Sequence, residues 1–530
     1  MSEGPELSAL GLLPPLAAAF LDGRETDLFA PLRLVAAGAL PAGEPPPAER
    51  GELARALAAA NAGYGHPEAD SLAGLLASPS TRVVATGQQP GLFGGPLLAL
   101  GKAVAAARWA EALSAAGQPA VAVFWVATED HDWAEAAETV LMGPDGPHRF
   151  DLGPDPEPLV PLGARILGPG VQRVLEEAVA LSGPPWQQAF WRELGRWYRP
   201  DARFGEAFAR LFVQLLGPRC PLLLDAQLPQ LKAAERPVLA RLVERRREVE
   251  EAYREADRRI AGRGFPLQVA PQPGLAPLFL LDELRRRRIE WRGAGEWALR
   301  GGERPPAAVE DLLRVVEDNP LAVSPGVLAR GAVQDAVLGT FLQVLGPGEL
   351  SYSAQAAAIY PVLEVPAPWA AFRPQTVVLE ERELAWMAEL GLTLADLLGD
   401  EQSLDRRLAA RRHPDPTEPL RALFERELLT LRAPALALDP NLESPWGKTR
   451  DQVLRALETF SGKLAAAAAR SDETTRRRVE QLRATCLPLG KPQERVLSAA
   501  HFASLHGEHF AHALWEQLSL DPRRLQVVRP

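Results

Sequence analysis

The first segment whose residues could bind a ligand is a glycine-rich stretch, residues 86–96, that follows a short apolar run. Such loops offer backbone N–H groups and a helix N-terminus to an anion, so we expect a phosphate or carboxylate ligand. The spacing matches neither the P-loop nor the dinucleotide fingerprint. The residues we assign to anion or nucleotide binding are Thr86, Gly87, Gln88, Gln89, Gly91, Gly94 and, farther along, Lys102, which must stretch back to reach the loop.

The second segment is the acidic cluster Glu129–Asp132, which contains His131 and follows the apolar run 120–128. Carboxylates packed this closely repel one another, so a cation, a metal or a bound ammonium group must offset them. We assign Asp130, His131 and Asp132 to catalysis. In this hypothesis the two aspartates hold an amine or Mg²⁺, and His131 acts as a base or an orienting group.

The elements around these segments predict a common site. Residues 82–88 and 120–128 have the pattern of strands, and residues 97–116 have that of a helix. Strand–helix–strand crossovers are almost always right-handed, so both strands run parallel and both loops lie at the carboxyl edge of one sheet. A further apolar run, 220–225, predicts another strand of that sheet. The glycine-rich segment and the acidic cluster should therefore face one crevice of an α/β enzyme.

The remaining sequence predicts inserts and a helical domain. We expect one long helix over 233–260, a small β-rich insert after it, and a helical pattern from Arg330 to near Leu345. Residues 376–486 are almost wholly helical and charged, with an apolar stripe (Val453, Leu457, Phe460, Leu464) typical of a coiled-coil hairpin. The predicted divisions are an N-terminal helical segment (1–75), core (76–145), helical insert (146–215), core strand (216–232), second insert (233–318), core (319–375), coiled coil (376–486) and a C-terminal segment returning to the core (487–530).

Composition limits the classes of function. With 47% hydrophobic and 24% charged residues, the 530-residue chain is typical of a globular protein. The net charge of −10 argues against a nucleic-acid-binding surface. No apolar run is long enough for a membrane span, and the acidic N-terminus does not resemble a secretory signal, so we expect a cytoplasmic protein. Cys220 and Cys486 show no metal-ligand spacing, and we assign no metal-binding residues.

Several separated motifs, in order, resemble the BshC family of bacillithiol-biosynthesis enzymes that add cysteine. Residues 86–96 resemble the family's TGQQxGxxxGP motif, and residues 124–132 its FWxAxEDHD motif. Later elements are similar to its RxxxQD, GPGExxY and QER motifs. On these motifs we assign substrate binding to Trp125, Glu129, Arg330, Gln334, Asp335, Gly348, Glu349, Tyr352 and Arg495.

This resemblance implies a Rossmann-like parallel-sheet core with inserted connective segments and a helical coiled-coil domain. It also implies a ligase that joins L-cysteine to glucosaminyl-malate, forming the amide bond of bacillithiol. Since a free carboxylate and an amine do not condense at pH 7 without activation, we expect ATP, with Mg²⁺ as an additional ligand. Two alternatives stay open: a metal-dependent hydrolase that uses Glu129–Asp132 and the C-terminal histidines, and a non-catalytic coiled-coil scaffold. The apolar stripe predicts a homodimer formed through the coiled coil.

Overall fold

The computed structural model describes residues 4–36, 38–293, 295–302, 304–412, 417–470 and 473–530. The chain divides into two compact units, Met1–Val378 with Lys491–Pro530, and Leu379–Gly490. Among the described residues, no helix combines the length and the apolar character needed to cross a bilayer. The first unit contains the sheets and the candidate site, and the second is helical.

The strands of the described residues are β1 (Arg33–Leu34), β2 (Arg82–Gln88), β3 (Ala120–Val126), β4 (Glu138–Gly143), β5 (Gly146–Asp151), β6 (Leu222–Asp225), β7 (Leu275–Asp282), β8 (Arg285–Arg292), β9 (Glu296–Leu299), β10 (Ala307–Ala308), β11 (Val323–Pro325), β12 (Thr340–Leu345), β13 (Trp369–Phe372), β14 (Thr376–Val378) and β15 (Gln526–Val528).

The α-helices of the described residues are α1 (Pro15–Leu21), α2 (Gly51–Tyr64), α3 (Ala69–Ala77), α4 (Leu97–Ala115), α5 (Trp133–Ala136), α6 (Gly170–Leu181), α7 (Pro185–Leu194), α8 (Phe204–Leu216), α9 (Pro229–Glu244), α10 (Arg246–Gly262), α11 (Val309–Asp318), α12 (Val327–Leu338), α13 (Pro347–Ala356), α14 (Tyr360–Leu363), α15 (Glu381–Leu390), α16 (Leu394–Leu398), α17 (Glu401–Arg412), α18 (Glu418–Leu438), α19 (Glu443–Arg470), α20 (Glu473–Cys486), α21 (Ala499–His506) and α22 (Glu508–Gln517).

The central sheet has six parallel strands in the order β1-β13-β12-β2-β3-β6. From β2, the chain adds β3 and β6 on one side, and then adds β12 and β13 on the other. This is the doubly wound arrangement of a Rossmann-like fold, and its topological switch point lies between β2 and β12. The predicted strand–helix–strand unit and the third strand near residue 222 are confirmed.

Both faces of the central sheet are covered, which explains why β3 is continuously apolar and why residues 83–87 of β2 are all buried. On one face, Phe124 and Val344 pack with residues of α4, α8, α21 and α22. On the other, Val83 and Val123 pack with apolar residues of α2 and α3. The two layers place the site-bearing loops at the carboxyl edge of the sheet.

The predicted helical pattern from Arg330 to Leu345 is wrong in its second half. Helix α12 ends at Leu338, Gly339 adopts a left-handed conformation (φ 56°, ψ 50°), and the chain continues as β12 beside β2. A short, fully buried apolar run has the same composition as a buried helix turn, so periodicity alone does not separate the two.

The single helix predicted over 233–260 is also wrong. The chain forms α9 and α10 with a break at Arg245, whose backbone leaves helical geometry. The Arg245 guanidinium donates to the Val362 carbonyl at 2.6 Å and pairs with Glu364 at 2.6 Å, which holds the turn. After α10, the predicted β-rich insert is a five-stranded antiparallel sheet in the order β10-β9-β8-β7-β11.

The second unit is built from α15–α20. Of the predicted stripe, Val453, Leu457 and Leu464 are only half-buried and Phe460 is exposed. The stripe is therefore covered only in part by the described helices of this unit.

Candidate active site

A crevice of about 500 Å³ opens at the topological switch point of the central sheet. We call it the switch-point crevice. Thr86 and Gly87 of β2 and Val344 of β12 form its floor, and side chains of α12 and α13 form its walls. The Thr86 hydroxyl donates to the Val344 carbonyl at 2.9 Å, which ties the two strand ends together. Parallel α/β sheets bind ligands at this position, outside the carboxyl ends of the strands.

The glycine-rich segment is arranged differently from an open anion loop. Residues 91–95 are buried, the Gly94 N–H donates to the Tyr198 hydroxyl at 3.1 Å, and the Leu97 N–H at the start of α4 donates to the Leu497 carbonyl at 2.8 Å. The expectation that Gly91 and Gly94 form an exposed anion loop is corrected on this point, because both residues are buried and the Gly94 N–H is already paired with Tyr198.

The glycines of this segment permit close packing instead. A Cβ on Gly91 would lie 2.7 Å from the Gly95 Cα, and one on Gly87 would lie 2.7 Å from the Trp125 carbonyl oxygen. A side chain at either position would push backbone segments apart. Beyond Thr86 and Gly87, which line the crevice, the half-buried residues of the segment are Gln88 and Gln89.

Lys102 does reach back to the end of β2. Its Nζ donates to the Gly87 carbonyl at 2.8 Å and to Gln88 Oε1 at 2.9 Å, and it pairs with Glu349 Oε2 at 2.6 Å. The side chain is almost fully buried. Lys102 therefore fixes Gln88 and Glu349 relative to each other and acts as a positioning residue beneath the crevice.

Helices α12 and α13 bring the later motifs to the same place. Arg330 lies 3.7 Å from Glu349 Oε1 and donates to the Tyr352 hydroxyl at 3.3 Å. Burial raises the pKa of Glu349, but the charges of Lys102 and Arg330 more than offset it, so this pKa lies below its ordinary value. Glu349 is therefore an anion that balances two cations. Gly348 occupies the second position of α13 with open space around it.

Asp335 does not line the crevice, but it holds three residues that do. Its carboxylate accepts hydrogen bonds from Gln343 at 2.6 Å, from the Tyr360 hydroxyl at 2.6 Å and from Gln334 at 3.2 Å. Those three partners all line the crevice. Burial raises the pKa of Asp335 to about 6. Asp335 is a positioning residue, and Gln343 and Tyr360 are site residues that the motifs did not reveal.

The acidic cluster contacts the glycine-rich segment through its two glutamines. Gln89 Nε2 donates to Asp130 Oδ2 at 2.5 Å, and Gln88 Nε2 donates to Glu135 at 3.3 Å. The structure thus brings the two predicted clusters together. Asp132 is partly committed elsewhere, since its carboxylate caps α5 by accepting from the Glu135 N–H at 3.1 Å.

Glu129 is not free to bind a substrate, which corrects its assignment. Its carboxylate accepts from Lys232 Nζ at 2.8 Å, and the same Nζ reaches Glu235 at 2.9 Å; all three side chains are buried. Burial raises the pKa of Glu235 to about 7. The trio neutralises Glu129 inside the protein, because an unpaired buried charge is strongly destabilising.

Arg286 of β8 is the most important residue that the sequence did not indicate. Its Nη1 lies 3.5 Å from His131 Nδ1 and 3.7 Å from Asp130 Oδ1, while its other nitrogens donate to Ser324 and to the Pro325 carbonyl, each at 2.9 Å. Burial, and then the charge of Arg286, lowers the pKa of His131. The imidazole is therefore neutral at pH 7 and able to accept a proton.

Trp125 is fully buried in the core on β3, so its assignment to substrate binding is corrected. An apolar strand places its aromatic residue inside when helices cover both faces of the sheet.

The three residues of the QER motif, Gln493, Glu494 and Arg495, have different roles. Glu494 pairs with the buried Arg373 at 2.5 Å, and Gln493 hydrogen-bonds the backbone of β14. Arg495 is exposed, yet its charge acts on Glu135. The first two residues fasten the C-terminal segment to the core, and Arg495 is left near the rim of the site.

Among the described residues, no group of three or more histidine, cysteine, aspartate or glutamate side chains is placed to hold a metal ion. Glu129, which the hydrolase alternative needs, is engaged by Lys232. His501 is buried, and burial lowers its pKa to about 3. The described site therefore does not fit a Mg²⁺ ion held by protein ligands alone.

Some residues of the site could have been noticed in the sequence, and others could not. The sequence has only five lysines, and Lys102 and Lys232, the two that enter this site, are buried. Arg286 lies in an arginine-rich run that has the appearance of a solvated face. Nothing in that run distinguishes the buried Arg286 from its exposed neighbour Arg285.

Comparison with known proteins agrees with the motifs. Residues 41–374 match the family "Bacillithiol biosynthesis BshC, N-terminal Rossmann-like domain", and residues 376–529 match "Bacillithiol biosynthesis BshC, C-terminal coiled-coil domain". Two similar proteins, each named "Putative cysteine ligase BshC", come from Solibacter usitatus (30% identical, covering 91% of this chain and 90% of that protein) and from a strain of Thermus thermophilus (33% identical, covering 82% and 86%). With both domains matched in order, the chain belongs to the BshC family of bacillithiol biosynthesis and is a relative of proteins named as cysteine ligases.

Proposed function

We propose that the chain joins L-cysteine to glucosaminyl-malate through an amide bond, with ATP activating the cysteine carboxylate. The observation that carries this proposal is the switch-point crevice, where the family's motif residues Thr86, Arg330, Glu349 and Tyr352 converge. Doubly wound sheets bind nucleotides at this position, and Arg330 is a cation suited to a phosphate or carboxylate.

Amide formation needs a free amine and a place for its proton. In the proposed reaction, phosphoryl or adenylyl transfer from ATP converts the cysteine carboxylate into a mixed anhydride. The amine nitrogen attacks the carbonyl carbon, the bond from that carbon to the phosphate oxygen breaks, and the amine loses one proton. His131 accepts that proton, since Arg286 favours the neutral imidazole. Asp130, fixed by Gln89, accepts a hydrogen bond from the neutral amine and orients it for the attack.

The test is a reaction with purified protein, cysteine, glucosaminyl-malate and ATP, followed by mass spectrometry of the thiol product and of the released nucleotide. We expect product from the wild type and a loss of about 10²- to 10⁴-fold in rate for His131→Ala. His509→Ala is the matched control, because His509 is exposed and belongs to the histidines that the hydrolase alternative would use. It should retain full activity.

The same experiment separates the alternatives. Absence of product from the wild type under all nucleotide conditions would contradict the ligase and favour a scaffold. Loss of activity in His509→Ala together with stoichiometric zinc or manganese would favour the hydrolase.

A further inference from the structure

A second cavity, with about 760 Å³ of empty space, lies beside the switch-point crevice. We call it the side cavity. Its walls come from α10 (Tyr253, Asp257), from β8 (Arg288, Trp291), from the proline-rich segment 269–273 and from the start of α12. Gln355 fixes the segment, since its amide donates to the Val269 carbonyl at 2.9 Å and accepts from the Val269 N–H at 3.0 Å. The cavity is thus a built feature rather than a gap between loose loops.

Two side chains of the side cavity retain capacity to bind a ligand. The Tyr253 hydroxyl is shielded from solvent and has no hydrogen-bond partner among the described residues. The half-buried Arg288 donates to the Ala276 carbonyl at 3.3 Å and to Gln272 at 3.5 Å and lies 5.5 Å from the centre of the Phe279 ring, but no described carboxylate forms an ion pair with it. Buried polar groups are normally satisfied, so a hydroxyl and a cation left together indicate a missing anionic, hydrogen-bonding ligand.

The side cavity also contains an acidic side chain, Asp257, and an aromatic one, Trp291. Asp257 is half-buried and accepts from the Gln355 amide at 2.7 Å, which leaves its second carboxylate oxygen for another donor. The Trp291 ring supplies an apolar surface on which a sugar or other ring can pack. A cation, a carboxylate, a hydroxyl and an aromatic ring fit a ring-bearing ligand that carries both carboxylates and hydroxyl groups.

The two cavities meet at the N-terminus of α12. Val327 lines both of them and is 45% exposed. Helix α13 also serves both, because Glu349 and Tyr352 face the switch-point crevice and Gln355 faces the side cavity. A ligand in the side cavity can therefore extend past Val327 to a second reactant in the crevice.

We propose that the side cavity binds the amine-bearing dicarboxylate substrate, with Arg288 pairing a carboxylate, Tyr253 hydrogen-bonding to it and Asp257 receiving a ring hydroxyl, so that the amine is left for the reaction at His131. This inference rests on the proposed function, in which glucosaminyl-malate is the substrate of that class. The nucleotide and cysteine then occupy the switch-point crevice.

The test is isothermal titration calorimetry of the full chain with glucosaminyl-malate and, separately, with ATP, each with and without saturating cysteine. Tyr253→Phe removes a single oxygen and should weaken glucosaminyl-malate binding about 10-fold. Arg288→Gln should weaken it about 10- to 100-fold, and Arg288→Lys should restore part of the loss. ATP binding should be unchanged in all three variants. Arg258→Gln, an exposed arginine on the same helix as Tyr253, is the control and should bind both ligands as the wild type does.

Each outcome decides the proposal. Wild-type binding of glucosaminyl-malate in Tyr253→Phe and Arg288→Gln, or no binding of it by the wild type, overturns the site. Weakened ATP binding with unchanged glucosaminyl-malate binding overturns the identity of the ligand. If the wild type makes no amide product but the expected binding losses occur, the proposed function fails and the site stands. If product forms and the variants change neither Kd nor KM for glucosaminyl-malate, the site fails and the function stands.

Discussion

The groups around His131 have opposite effects on the pKa of its imidazole. Burial and the Arg286 guanidinium lower the pKa of its imidazole, and the carboxylates of Asp130 and Asp132 raise it. The net effect is a lowered pKa, so the neutral form that can accept a proton persists to lower pH than in an ordinary histidine. Burial and Arg286 together thereby outweigh the neighbouring carboxylates and keep a base available.

Replacing Arg286 should consequently shift the pH dependence of the reaction. In Arg286→Gln a nearby positive charge is lost, the pKa of His131 rises, and the acid limb of kcat/KM should move to higher pH. The measurement is a pH–rate profile of amide formation. Arg285→Gln, at an exposed neighbouring position on β8, should leave the acid limb in place. An unmoved limb in Arg286→Gln, with activity remaining, would show that His131 is not the titrating base.

The elements depend on a few backbone positions where only glycine fits. Gly339 joins α12, which carries Arg330 and Asp335, to β12, which carries Gln343. It has a left-handed conformation, and a Cβ there would lie 2.7 Å from the Pro46 carbonyl oxygen and 2.9 Å from the Ala48 Cβ. The helix-to-strand turn at the switch point therefore requires a residue without a side chain.

Gly339→Ala should destabilise the first unit by about 2–4 kcal/mol, because alanine is strained at this φ and crowds a neighbouring backbone. Thermal or urea unfolding followed by circular dichroism measures the effect. Gly74→Ala, inside α3 with open space around the new methyl group, is the control and should be neutral or stabilising by up to about 1 kcal/mol. Equal stability of the Gly339→Ala protein and the wild type would contradict the strain argument.

At the scale of the whole molecule, the second unit leaves apolar surface uncovered. Large side chains of α18 and α19 are more than half exposed, namely Leu429 (60%), Leu431 (58%), Leu438 (85%) and Phe460 (54%). A group of exposed apolar side chains on long helices is typical of an association surface. It supports the prediction of a homodimer formed through the coiled coil.

Light scattering at micromolar concentration should give twice the 57.4 kDa of one chain. The double variant Leu431→Asp with Phe460→Asp should give monomers with the same circular dichroism as the wild type, since both side chains are exposed in the single chain. Leu284→Asp, which changes an exposed leucine of the first unit, should remain dimeric. A wild-type mass of a single chain would rule the homodimer out.

The central part of the fold follows from local sequence. The apolar runs at 82–88 and 120–126, with a helical pattern between them, predict parallel strands joined by a helix, and the charged helical region after residue 376 predicts the second unit. The short inserts were harder to predict. The break at Arg245 and the strand after Gly339 depend on contacts with Glu364, Pro46 and β2, which lie far away in sequence.

For the site, local sequence indicates which motifs could carry chemistry and predicts that two of them lie at one sheet edge, because strand direction and crossover hand are local properties. Which of their side chains are free depends on contacts between residues that are distant in sequence. Lys232 neutralises Glu129 from 103 residues away in sequence, and Arg286 reaches His131 from 155 residues away. Burial and ionisation depend on what surrounds a group in space. A residue's own neighbours in sequence therefore do not reveal whether its charge is available for a substrate or already compensated within the fold.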